Sequence, residues 1–409
     1  MQRRTFIGAL SAGALLMTTG SILKGADDSA GEVAKNIIRR QPYYFTVADK
    51  KFRTGKGNVA FLGGSITEMD GYRPMVCEYL KKKYPQTQFN FIDAGVSSTC
   101  SNLGAFRVDE DVIQRCEGGK GPDLFFVEYA VNDNQDGFFN LEQSIRGMEG
   151  VIRRIKAANP DAAIVMTFFA NIPLMEKYRA GEIPTSIQAH TAVAEHYGIS
   201  TVNVAKELQE EIDAGNTTWE IYGDVHPAPR GNRMVADMIE KLLDYVWRVP
   251  ATCSLCAIRS SEVEPLDPYS YGTAGWVDFD AAQTEGFTRE IPDWSKIPGA
   301  LRERFAGQEL LCANEPGATF SLTFHGNAAG LYVLAGPDSW KIDVSVDGGA
   351  PTCMNVVHPY SGGLHYPRLV VLADGLATGE HRVTARLCEN EEGEPVALRI
   401  LKIGVNRGE

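Results

Sequence analysis

This chain of 409 residues is short of several things, and each shortage removes a class of function. Basic residues are outnumbered, 40 Lys and Arg against 52 Asp and Glu, for a net charge of −12. That balance argues against nucleic acid or an anionic membrane as partner and suits a soluble protein acting on neutral material. The eight cysteines, Cys77, Cys100, Cys116, Cys253, Cys256, Cys312, Cys353 and Cys388, are too few to build a disulfide scaffold of this length. Cys253 and Cys256 form a lone CxxC, without the second pair or the histidines that a zinc site needs. A disulfide between these two remains open. No metal is expected, and no cofactor. There is no GxGxxG and no long glycine-rich loop with a lysine, so a phosphate-binding loop is not indicated. Internal repeats and low-complexity segments are also missing.

The start of the chain reads MQRRTFIGALSAGALLMTTGSILKGADDSA. Arg3 and Arg4 precede an apolar run from Phe6 to Met17, which is too short to span a membrane as a helix. This is the layout of an export signal over residues 1–26, with the order RRTFI of a twin-arginine signal. The expectation is a periplasmic or extracellular protein with no membrane contact after signal removal. The alternatives are an N-terminal anchor or a frayed cytoplasmic tail. No cysteine lies here to carry a lipid.

What is present reads as two domains. Hydrophobic residues make up 44% and charged residues 22%, a globular composition, and one core does not serve a chain this long. Over residues 50–250, short apolar runs (NVAFLG, FNFID, DLFFVEYA, AAIVMTFFA, ISTVNV) alternate with helical patterns. Runs of this kind are strands buried on both faces of a parallel sheet. Among the helices, LEQSIRGMEGVIRRIKAANP places Ile145, Met148, Val151, Ile152 and Ile155 on one face. The expected fold is a three-layer α/β/α domain around a five-stranded parallel sheet. Over residues 265–409 the periodicity changes to alternating runs such as ATFSLTFHG, KIDVSVDGG and ALRILKIGVN. These predict an all-β sandwich, jelly-roll-like.

Ligands of a parallel α/β sheet bind beyond the C-terminal ends of its strands. Four residues fall there. Ser65 follows the first strand in FLGGSIT, and Gly95 follows the second in DAGVSSTCS. Asn132 follows the third in EYAVNDN, and His226 follows the fifth in YGDVHPAPRGN. Each has a bland reading alone: a turn serine, a positive-φ glycine, a helix cap and a loop histidine. Together they supply a nucleophile, a base and donors for an oxyanion.

This set resembles the GDSL-type, or SGNH, serine hydrolase superfamily over roughly residues 57–247. The matching blocks are Gly63-Gly64-Ser65-Ile66, Gly95, Ala130-Val131-Asn132-Asp133 and Asp224-Val225-His226-Pro227. The resemblance implies attack by Ser65, proton transfer by His226, and an oxyanion hole from the N–H groups of Ser65 and Gly95 and the Asn132 amide. Three departures stand out. Gly64 replaces an aspartate, Ala130 replaces a glycine, and Asp224 lies two residues before His226 instead of three. In extended backbone, positions two apart share a side, so Asp224 either reaches the imidazole or leaves a Ser–His dyad. Glu128 and Asp133 are expected to support Asn132. His190 and His196, on a helical pattern, are expected at the surface.

The exported two-domain layout resembles bacterial carbohydrate esterases of this superfamily. That implies an acylated carbohydrate, most simply an O-acetylated one, as partner. In the β domain, Trp340, Tyr360 and Tyr366 near turns are candidate sugar contacts, with His358 and His365 beside them; the alternative is that these rings pack internally. A lipid or thioester acylhydrolase would need an apolar acyl tunnel. Only FFANIPLMEKYRAGEIP, residues 168–184, offers one, and its charges argue against it. A non-catalytic polysaccharide-binding protein is the third reading.

Overall fold

The computed structural model describes residues 31–248 and 263–408. The expected export signal and the Cys253–Cys256 pair lie outside the described residues.

The N-terminal domain is built on strands β1 (Gly31–Ala34), β2 (Ile37–Arg39), β3 (Lys56–Gly63), β4 (Gln88–Gly95), β5 (Leu124–Val127), β6 (Ala163–Phe168) and β7 (Ser200–Asn203). Their order in the sheet is β1-β2-β7-β6-β5-β3-β4. The five strands β3 to β7 are parallel, and β1 and β2 add an antiparallel hairpin at the β7 edge. Every residue of β5 and β6 is buried, as the continuous apolar runs require when helices cover both faces. Helices Leu141–Ala158 and Pro229–Arg248 each lay an apolar stripe on the sheet, including Met148, Val151, Ile155, Val235, Ile239 and Leu242. Phe61 and Phe126 stack across β3 and β5 with ring centres 4.7 Å apart.

The strand order decides where a ligand goes. After β3 the chain steps outward to β4, then returns across β3 to β5. Crossovers therefore diverge on either side of β3, and in sheets of this kind ligands bind at such a point, here the C-terminal ends of β3 and β5.

The C-terminal domain contains β8 (Ala274–Val277), β9 (Ala282–Glu285), β10 (Thr288–Glu290), β11 (Leu310–Ala313), β12 (Thr319–Gly326), β13 (Ala328–Ala335), β14 (Lys341–Val346), β15 (Thr352–Asn355), β16 (Tyr366–Ala373), β17 (Gly379–Leu387) and β18 (Leu398–Asn406). They form two antiparallel sheets, β10-β11-β18-β13-β16 with β8 paired to β18, and β15-β14-β17-β12-β9. One apolar core lies between these sheets, with Phe320, Leu331 and Ile342 in it. The other face of the first sheet joins the core of the α/β domain through Leu310, Tyr332 and Leu369. β13 is consequently buried at all eight positions. Polar bonds close the seam: Arg146 reaches Asp267 at 2.9 Å and Asp374 at 2.6 Å, and Lys402 pairs with Glu110.

Candidate active site

Strand β3 ends at Gly63, and Ser65 opens the short helix Ser65–Glu68. The turn between them is crowded from two sides. A side chain on Gly63 would collide with the carboxylate of Glu128, and one on Gly64 with the carboxamide of Asn132. Only glycine lets both neighbours come this close.

His226 reaches the same point from the far end of the domain. Its loop folds back on itself, with the N–H of Ala228 donating to the carbonyl of Tyr222 at 2.7 Å. Gly223 makes the reversal at φ 133°, and the Asn232 side-chain amide donates to the carbonyl of Pro227. The loop presents an exposed imidazole whose Nε2 is 2.7 Å from Ser65 Oγ. Asp224 does not complete a hydrogen-bonded triad. Its Oδ1 accepts the main-chain N–H of His226 at 2.6 Å and lies 4.0 Å from Nδ1. The two-residue spacing favours this local turn, in which an aspartate binds backbone two positions on.

Asn132 lies in the short helix Ala130–Gln135 beyond β5, buried beside Gly64. One hydrogen of its Nδ2 is given to Asp136 Oδ2 at 2.7 Å. Asp136 is a functional candidate that sequence reasoning missed; its signal was the four-residue helical spacing from Asn132. Burial raises the Asp136 carboxyl above its ordinary range. The expected supports of Asn132 act elsewhere. Glu128 accepts the Gly64 N–H and the Thr67 hydroxyl, both at 2.8 Å. Asp133 accepts Ser101 N–H at 2.8 Å, Ser101 Oγ at 2.7 Å and His190 Nε2 at 2.9 Å. His190 is accordingly fully buried and not at the surface, while His196 is half-buried and bonded to the carbonyl of Glu264.

Gly95 requires a correction. Its N–H donates to Asp93 Oδ1 at 2.9 Å, so this amide is already engaged. A side chain at Gly95 would collide with the backbone of Thr67 and Glu68. The glycine therefore serves close packing under the helix that carries Ser65. Beyond it, Ser98 turns the chain at φ 71°.

The β domain touches this region. Arg304 donates to Glu68 Oε1 at 2.6 Å and to the Gly95 carbonyl at 2.9 Å, and Arg302 donates to Ser98 Oγ at 2.7 Å. Tyr366 is a second correction. It is 2% exposed, stacked on His358 with ring centres 3.9 Å apart, and offers no face to a sugar. Its buried hydroxyl lies beside Asp136 outside hydrogen-bond geometry. His358 Nε2 contacts the Asp136 carbonyl at 3.0 Å, and His365 is buried against the Pro298 carbonyl and Trp294. Trp340 is half-buried on the sandwich core and bonded to the carbonyl of Glu389. Tyr360 stays 59% exposed, and Phe138 from the loop beyond Asn132 is 67% exposed; both rings flank His358.

A serine hydroxyl on an imidazole, beside a carboxamide at the switch point of an α/β/α sheet, is an arrangement suited to a carboxylic ester hydrolase. Residues 61–234 match the GDSL-like Lipase/Acylhydrolase family model. Two solved structures share the whole layout. One is a two-domain esterase (CEX) active on acetylated mannans, co-crystallized with mannopentaose. It is 21% identical, with a TM-score of 0.74 over 92% of this chain and 98% of that one. The second is the same kind of esterase, 22% identical, with a TM-score of 0.72 over 91% and 97%. No curated protein matches the chain.

Proposed function

We propose that this protein is an exported esterase that removes O-acetyl groups from an acetylated polysaccharide of the mannan type. The observation that carries the reading is the 2.7 Å contact between Ser65 Oγ and His226 Nε2, with Asn132 packed against the same turn. Support for the substrate comes from the two-domain neighbours, which are described as active on acetylated mannans. Support for export comes from the twin-arginine-like start of the chain.

In this reading Ser65 Oγ attacks the acetyl carbonyl carbon while His226 Nε2 takes the hydroxyl proton. The oxyanion accepts the Ser65 N–H, which as a first-turn amide has no intrahelical partner, and the second hydrogen of Asn132 Nδ2. Each such donor contributes about 3 kcal/mol to transition-state stabilisation. His226 returns the proton to the departing sugar hydroxyl. It then activates water, which releases acetate from Ser65. Asp224 acts on the imidazolium through space and by fixing the His226 backbone.

Lipid acylhydrolysis has less support. In the segment 168–184, the charged side chains pair at the surface, Lys177 with Glu182 and Arg179 with Asp213. Acetate release from acetylated mannan, compared with octanoate release from a synthetic ester, tests the proposal. Selective octanoate cleavage would replace it with the lipid reading.

A further inference from the structure

We propose that Glu128 is a positioning residue that holds the Gly63–Ser65 turn in the geometry for attack. The inference rests on the serine-hydrolase reading above.

The turn carries no polar side chain of its own before the nucleophile, since Gly64 stands where the GDSL-type motif has an aspartate. Glu128 reaches in from the end of β5. Its Oε1 accepts the Gly64 N–H, in the Gly63–Gly64 peptide one unit before the Ser65 amide, at 2.8 Å. The same oxygen accepts Thr67 Oγ1 at 2.8 Å, two residues beyond Ser65. One oxygen thus ties both ends of the turn. Thr67 Oγ1 is in turn 3.0 Å from the buried hydroxyl of Tyr72.

The opposite side of the turn is held by a cation. Arg107, 3% exposed, donates to the Gly63 carbonyl at 2.9 Å and to the Ala94 carbonyl at 2.7 Å. Gly63 is therefore fixed through its carbonyl by Arg107, and Gly64 through its N–H by Glu128. Both ionisable groups are buried, and they attract one another. A buried carboxyl costs free energy unless it is bonded, and Glu128 Oε2 has no hydrogen-bond partner among the described residues. A residue selected for stability alone would not leave that oxygen unpaired in the interior. Leu or Val at 128 would continue the apolar run of β5.

The test uses the full chain with Glu128→Ala and Glu128→Gln. Gln keeps an acceptor for Gly64 and Thr67; Ala does not. A fluorophosphonate ester labels Ser65 in proportion to its nucleophilic competence. Glu128→Ala is expected to slow labelling, and kcat on p-nitrophenyl acetate, by about 100-fold, with KM changed less than about 3-fold, because a small misplacement of a reacting atom has that effect. Glu128→Gln is expected to stay within about 5-fold. Hydrogen exchange of the 61–69 segment should rise in the Ala variant and not in the Gln variant. A folded Ala variant that labels as fast as wild type would overturn the proposal, as would equal losses in both variants. If wild type itself fails to label at Ser65, the nucleophile assignment falls instead. The exchange measurement then still decides: unchanged exchange at 61–69 in Glu128→Ala overturns the bracing.

Discussion

At the scale of the residue, the account turns on which groups touch which. A serine hydroxyl is a weak nucleophile until a base lies within hydrogen-bond reach, and His226 Nε2 does. The acid behind the base is different. In a hydrogen-bonded triad, replacing the aspartate by asparagine lowers kcat by about 10⁴-fold. Asp224 is exposed and 4.0 Å from Nδ1, so Asp224→Asn is expected to cost less than about 10-fold in kcat/KM, read on p-nitrophenyl acetate. A loss near 10⁴ would mean that the aspartate closes onto the imidazole during catalysis. Glu128 supplies a pH signature. Burial pushes its carboxyl up to about 7, with Arg107, Tyr72, Tyr129 and Tyr222 as the ionisable groups around it. The native state then holds a proton that the unfolded chain releases near its ordinary pKa of about 4.5. Stability from this group falls as pH rises from about 4.5 to about 7, and is flat on either side. Denaturant midpoints of Glu128→Gln against wild type should diverge in slope across that window. Parallel curves would show that Glu128 does not titrate there.

Elements explain why some of this was legible in the sequence and some was not. The apolar runs of β3 to β7 announced a buried parallel sheet, and strand ends converge by topology, so Ser65, Asn132 and His226 were readable at a distance. Hydrogen-bond direction was not readable. Gly95 sits at a strand end as a donor would, yet its N–H is turned to Asp93, two residues back. Glu128 and Asp133 flank Asn132 in sequence, but in the strand-to-helix transition they point to the Gly64 turn and to Ser101. The hairpin β1–β2 went unseen because its strands have only four and three residues. Gly95→Ala separates the two roles of that glycine, because alanine keeps the main-chain N–H. The collision with Thr67 and Glu68 is expected to cost at least about 2 kcal/mol in thermal or denaturant unfolding and to depress activity. A variant as stable and active as wild type would restore the donor role.

The whole molecule joins its two domains through one apolar core and through arginines that cross the seam to Glu68, Ser98 and Gly95. The β domain thus contacts the segments on either side of the Ser65 turn. Among its aromatic candidates, Tyr366 and His358 are interior supports, and Tyr360 keeps an exposed ring. Tyr360→Ala is expected to lower kcat/KM on acetylated mannan up to about 10-fold while leaving p-nitrophenyl acetate unchanged, since an exposed ring that covers a sugar loses its apolar burial, about 1 kcal/mol for each 40 Å². Equal effects on both substrates would make Tyr360 a structural residue. The central claim is tested most directly by acetate release from acetylated mannan, wild type against Ser65→Ala. The account predicts release by wild type and a loss of about 10³-fold or more in the variant, with unaltered folding. Equal release by both proteins would contradict it, and Ser65 would then be a turn residue and not the nucleophile.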